Sequence, residues 1–118
     1  MNPDNKLNPS ISFDDFLKVE LRAGTIIDAQ IFEKARKPAY QITADFGEFG
    51  IKKSSAQITA NYTPQELIGK QIIGVINFEP RQIANFVSEF LITGFPDENG
   101  NIVLAQPQSK VPDGVKLV

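Results

Sequence analysis

Val19-Glu-Leu-Arg-Ala-Gly-Thr-Ile-Ile-Asp-Ala-Gln-Ile-Phe32 is the stretch on which the fold turns. Val19, Leu21, Ala23, Thr25, Ile27, Ala29 and Ile31 share one face, and Glu20, Arg22, Asp28 and Gln30 the other. That is the period-two alternation of a half-buried strand. The run exceeds the usual strand length of about five or six residues, and Gly24 inside it marks a bulge or bend. Long, sharply bent first strands belong to small barrels, where one strand serves two parts of a closed sheet.

The flanking sequence fits that plan. Residues 34–38 form a basic loop closed by Pro38. A second strand is expected over 39–46, where Tyr40, Ile42, Ala44 and Phe46 alternate with polar residues, and a third over 51–59. Thr63, Pro64 and Glu66 write a helix start with a capping box, and Gly69 ends that helix. Residues 71–78 are apolar on both faces, as in a central or partner-covered strand. A turn or short helix over 80–85, a strand over 86–95, a hairpin turn at 97–101 and short strands over 102–105 and 115–118 complete the chain. Upstream, Ser12 and Asp15 cap a short helix. The spacing of Phe13, Phe16 and Leu17 predicts that it packs on the domain. The order predicts an all-β protein with short helices: an OB-fold, five-stranded Greek-key β-barrel with additional terminal strands. A plain β-sandwich is the alternative. Residues 1–11 are expected to be a flexible arm and 12–118 a single domain.

Composition narrows the function. The chain has 118 residues, net charge −2, and neither cysteine nor histidine. Without them there is no thiolate nucleophile, no Ser-His-Asp or Cys-His arrangement, and none of the commonest zinc ligands. No Walker loop, Gly-x-Gly-x-x-Gly or calcium loop occurs. The expectation is a binding protein and not an enzyme, with no cofactor, no metal and no catalytic residue. No apolar run approaches the roughly 20 residues of a membrane span, so no membrane insertion is expected. The polar start is unlike a secretory signal, and the lack of cysteine suggests the cytoplasm. Charge is unevenly placed: residues 34–81 hold seven basic and four acidic side chains, a net of +3, leaving −5 on the flanks.

Three clusters are candidates for chemistry. In Lys52-Lys-Ser-Ser-Ala-Gln57, neither face is apolar before Ala56. Lys52, Lys53, Ser54, Ser55 and Gln57 suit phosphate and sugar oxygens, although lysines on an edge strand also serve only to block unwanted pairing. Asn77 and Arg81 end the next long strand, where a guanidinium can hold phosphate bidentately or stack on a base. Ser88 and Glu89 follow, and a carboxylate can accept hydrogen bonds from base amino groups. The competing reading of Arg81 is a surface ion pair with Glu79 or Glu89. Phe78, Phe86 and Phe90 read as core, while an exposed Phe49 or Phe86 would suit unfolded polypeptide. Arg36 and Lys37 are accessory candidates, or merely a solvated loop.

The chain resembles the CsaA family, small dimeric proteins related to the tRNA-binding domains appended to some aminoacyl-tRNA synthetases. The resemblance runs through Val19-Glu-Leu-Arg-Ala-Gly-Thr25, Ala35-Arg-Lys-Pro-Ala-Tyr40, Ile51-Lys-Lys-Ser-Ser-Ala-Gln-Ile-Thr59, Asn77-Phe-Glu-Pro-Arg-Gln-Ile-Ala84, Phe86-Val-Ser-Glu-Phe-Leu91 and Val111-Pro-Asp-Gly114. It implies an OB barrel, a homodimer, tRNA binding, and a chaperone role toward unfolded or export-destined polypeptides. By position it places Lys52 to Ser55, Asn77, Arg81, Ser88 and Glu89 in the RNA groove. The synthetase-linked relatives carry a His-Pro-x-Ala-Asp type loop where this chain has Arg36-Lys-Pro-Ala-Tyr40. They carry a Ser-x-Gly-Met type turn where it has Ser88-Glu-Phe-Leu91.

Overall fold

The computed structural model describes residues 6–118. Of the expected arm, residues 1–5 lie outside the described residues. Residues 6–11 are exposed and form neither helix nor strand.

Ser12 caps α1 (Phe13–Leu17) through a reciprocal pair with Asp15. The chain continues through β1 (Leu21–Ile31), β2 (Tyr40–Asp45), β3 (Ile51–Ala56), α2 (Pro64–Leu67), β4 (Gln71–Val75), β5 (Arg81–Ile83), β6 (Phe86–Ser88), β7 (Leu91–Ile92), β8 (Gly94–Pro96) and β9 (Ile102–Leu104). Five of these form an antiparallel sheet ordered β3-β2-β1-β4-β7. β1 is the shared strand: Leu21 to Thr25 pair with β4, and Thr25 to Ile31 pair with β2. The sheet curls into a nearly closed OB-type barrel, which settles the choice against a sandwich.

The bend lies a little beyond the expected glycine. The register of β1 against β2 shifts between Ile26 and Asp28. One extra residue there reverses the faces. Ile26 and Ala29, three residues apart, are therefore both buried, and Ile27 between them is exposed. Gly24 has another task. A Cβ on it would stand 2.7 Å from the Phe46 ring, and one on Gly74 of the neighbouring strand β4 would stand 2.9 Å from the same ring. The two glycines let Phe46 fill the centre, edge-on to Phe90 at 4.9 Å. Ile26, Ile42, Leu67 and Ile72 pack around that pair with almost no exposure. Leu67 comes from α2, whose capping box and N-terminal proline are as expected.

Several expected boundaries shift. The span 80–85 contains strand β5, and 86–95 breaks into β6, β7 and β8. β5 and β6 form a separate hairpin, as do β8 and β9. A continuous strand would have run straight past the barrel mouth; the breaks let the chain turn there. The last segment makes only one isolated bridge, Arg22 to Lys116, with backbone bonds tying Gly114, Val115 and Leu117 to Ala23 and Leu21. α1 buries no side chain, and Phe13 is 71% exposed, so its apolar face does not pack on its own domain as expected. The apolar character of 71–78 resolves into the barrel: Ile72 and Val75 are buried, and only Phe78, at 58%, is well exposed.

Candidate functional site

Strand β3 has one free edge, and the barrel closes there without a regular ladder. The Glu89 amide donates to the Lys53 carbonyl at 2.7 Å. The Lys53 amide donates to the Glu89 carboxylate at 3.0 Å, and the Ser55 amide to the Ser88 hydroxyl at 3.3 Å. Side chains thus stand in for strand carbonyls. They satisfy main-chain donors that would otherwise be unpaired.

Closure brings the β5–β6 hairpin over β3. A second, smaller apolar cluster fastens it. Phe86 of β6 packs on Phe32, which follows β1, with ring centroids 5.3 Å apart. Ala39 completes the buried set, with Ala35 and Ile83 against it. This buttress sets Arg81 opposite the loop that carries Lys34, Arg36 and Lys37. Between them lies an open concavity of about 520 Å³, lined also by Ser55, Gln57 and Ala84. No acidic residue lines it, and none of the four cations forms an ion pair among the described residues. The expected alternative for Arg81, a pair with Glu79 or Glu89, is not formed.

The hairpin turn itself is strained. Ala84 has φ +53°, a left-handed value found at no other non-glycine among the described residues. Its carbonyl accepts from the Gln82 side chain at 2.8 Å. Such strain costs on the order of 1 kcal/mol and persists where surrounding contacts over-determine it.

A second concavity of about 380 Å³ adjoins the first, sharing Ser55, Arg81 and Ile83 with it. Ser54, Phe78, Glu79, Ser88, Glu89, Phe90 and Leu91 complete its walls.

The structure therefore gathers Ser55, Gln57, Arg81, Arg36 and Lys37 in one hollow, and Ser55, Arg81, Ser88 and Glu89 in the next. It separates the remainder. Ser54 borders the second hollow but is only 1% exposed, its hydroxyl donating to the Ser55 carbonyl. Lys53 is exposed and Lys52 half-buried, on opposite faces of β3, and neither lines a hollow. Asn77 ties the barrel together instead: its side chain accepts from the Glu20 amide at 3.0 Å and donates to the Lys18 carbonyl at 2.7 Å. Phe86 is buried, so it offers nothing to a polypeptide, whereas Phe49 is 37% exposed beneath the Arg22 guanidinium. Lys34 was not singled out from sequence, since a lysine in a basic loop carries no sign of what faces it. Among the described residues no cluster of acidic side chains is placed to hold a metal, and no helix is long and apolar enough to cross a membrane.

The class of protein to which this barrel belongs follows from comparison with known families. The family described as "Putative tRNA binding domain" matches residues 21–116. Within that class the chain belongs to the CsaA family. It is similar to the crystal structure of chaperone CsaA from Bacillus anthracis, at 47% identity and TM-score 0.87, over 93% of this chain and 100% of that one. It is also similar to the CsaA chaperone protein from Picrophilus torridus, at 44% identity and TM-score 0.86, over 92% and 100%. A methionine–tRNA ligase from Chlorobium phaeobacteroides is 36% identical across 93% of this chain, which spans only 15% of that enzyme's length.

Proposed function

We propose that this protein is a non-catalytic, cytoplasmic binder of structured RNA, tRNA foremost, acting as a homodimer. The observation that carries this is the hollow lined by Lys34, Arg36, Lys37 and Arg81 with no acid among its walls. Unpaired cations collected in a concavity, on a chain that is acidic overall, are what a phosphate backbone requires. Arg81 and Arg36 take phosphates in bidentate fashion, and Lys34 and Lys37 do so as point charges. Ser55 and Gln57 reach sugar and phosphate oxygens. Lys53 and Lys52 extend the positive field along the neighbouring strand. Ser88, Glu89, Ser54 and Asn77 mainly hold the frame, with the second Glu89 oxygen left for a base edge. The family description and the partial match to a tRNA ligase support the same reading.

The dimer rests on apolar surface left uncovered. Phe13 and Leu17 of α1 and Val115 and Leu117 of the tail are exposed. Lys116 bonds to the Leu17 carbonyl at 2.8 Å, so helix and tail lie side by side. A two-fold axis through such a patch would bury it against its own copy. Sedimentation of the wild type and of Phe13→Ser tests this; a wild type that stays monomeric at micromolar concentration removes it.

The RNA reading is tested by tRNA titrations at several salt concentrations, on the wild type and on Arg36→Ala with Arg81→Ala. The double variant should bind on the order of tenfold or more weakly at low salt. Its salt slope should be smaller by about 1.4–1.8. A folded double variant that binds like the wild type moves the site elsewhere. No binding by the wild type at low salt ends the RNA reading. A passive chaperone role is then favoured, in line with the CsaA relatives called chaperones. It would use exposed side chains such as Phe49 and Phe78 and act as a holder without nucleotide-driven release.

A further inference from the structure

The hollow beside Phe78 is chemically unlike its neighbour. Glu79 and Glu89 stand in its walls with a single cation, Arg81, above an apolar base formed by Ile83, Phe90 and Leu91. Phosphate binding does not account for it, because carboxylates repel phosphate. Glu89 has one oxygen occupied by the Lys53 amide. Glu79 has no hydrogen-bond or ion-pair partner among the described residues and lies beside the half-exposed Phe78 ring.

We propose that this second hollow is a base-reading pocket for one unpaired nucleotide of the bound RNA, with guanine preferred. The proposal rests on the RNA reading above and deepens it. Its volume of about 380 Å³ falls in the range of roughly 300–1,000 Å³ typical of small-ligand sites. Unpaired bases are recognised by stacking on an aromatic ring and by hydrogen bonds to the Watson–Crick edge, and Phe78 supplies the ring. A wall of acceptors selects a ligand part that is uncharged and rich in N–H donors. Guanine alone presents two adjacent donors on that edge, N1–H and the N2 amino group. These match the two parallel oxygens of one carboxylate. Adenine and cytosine offer only their amino group, and uracil only N3–H. Arg81 lines both hollows, so the nucleotide whose phosphate it holds is the one whose base reaches Glu79.

The test uses the full chain and fluorescein-labelled oligouridylate heptamers that carry one central guanosine, inosine, adenosine or uridine. Affinities are read by anisotropy at low salt, with unlabelled tRNA measured beside them. Inosine keeps N1–H and lacks only the N2 amino group. The wild type should prefer guanosine over inosine by roughly fivefold to tenfold, the effect of one charge-assisted hydrogen bond at a half-open site. Glu79→Gln should erase that ratio. Phe78→Ala should weaken all four probes together. Equal binding of guanosine and inosine by the wild type overturns the proposal, as does a ratio that survives in Glu79→Gln. If tRNA binds and none of the heptamers does, the pocket is refuted and the RNA reading stands. If tRNA also fails to bind, both are refuted.

Discussion

Around Glu20 the charged groups are paired, whereas around Arg81 they are not. Arg22 donates to Glu20 through Nε at 2.9 Å, and Lys116 reaches the other Glu20 oxygen at 3.0 Å. Arg22 also holds the Gly114 carbonyl and lies 4.6 Å from the centre of the Phe49 ring. Asn77, just past the end of β4, is bonded to the Glu20 amide and the Lys18 carbonyl. These groups lock the tail and the helix onto the barrel. Lys34, Arg36, Lys37 and Arg81 have no partner among the described residues and share one hollow. Both regions carry lysine and arginine, but the first sets the Glu20 carboxylate between them and the second has no acid in its walls. The fold has therefore satisfied the first set of cations and left the second open. A polar group whose hydrogen bonds are complete inside the chain is a fastening, and one left open at a concave surface is available to a ligand.

Four measurements break or sharpen this division. The largest effect belongs to neither region but to the core beneath both. Phe46→Ala should cost about 3–5 kcal/mol, read as a drop in denaturation midpoint, because Phe46 is fully buried against Gly24, Gly74 and Phe90. Next comes Phe32→Ala under the groove, at about 2–4 kcal/mol. It should weaken tRNA binding more than its stability loss explains, since Phe32 anchors the hairpin that carries Arg81. Unchanged affinity in a folded Phe32→Ala would show that the hairpin finds its place without the buttress.

Asn77→Ala removes two side-chain bonds to main chain and should lose about 1–2 kcal/mol, while weakening RNA binding less than Arg81→Ala does. Equal losses of affinity would put Asn77 back in the groove and break the comparison. The smallest effect is electrostatic. Hydrogen bonds from Arg22 first, and from Lys116, hold the Glu20 carboxyl below its ordinary value of 4.5. A depressed folded value adds stability above the unfolded pKa, which is lost as pH falls through the folded one. Glu20→Gln should therefore lower the neutral plateau slightly, flatten the acid side of the stability profile, and leave stability nearly unchanged at low pH, where Glu20 is protonated. An identical acid limb in both proteins would mean the cluster is only a solvated contact.

The barrel was legible because its signals are local. Alternation in 19–32 and 39–46, the capping boxes at Ser12 and Thr63, and the glycine-bearing turns each follow from a few neighbouring residues. The hairpin β5–β6 was not. Its strands are three residues long, with Arg81 and Gln82 exposed, so no periodicity reveals them. The register shift at Ile27 was hidden for a related reason: its faces reverse while the sequence still alternates. α1 misled in the opposite sense, since a helical apolar face says that something must cover it but not that the same chain does.

The candidate site divides in the same way. Lysine and arginine enrichment between residues 34 and 81 is a property of the chain, legible from the order of residues alone. The facing of Arg81 by Lys34, Arg36 and Lys37, and the removal of Ser54 and Asn77 from the surface they share, come from packing of Phe86 on Phe32 and from irregular closure at Lys53 and Glu89. Composition and period are carried by neighbours in sequence and survive in any string of residues. Which charges meet and which remain open depends on contacts between distant segments, and only the folded chain brings those together.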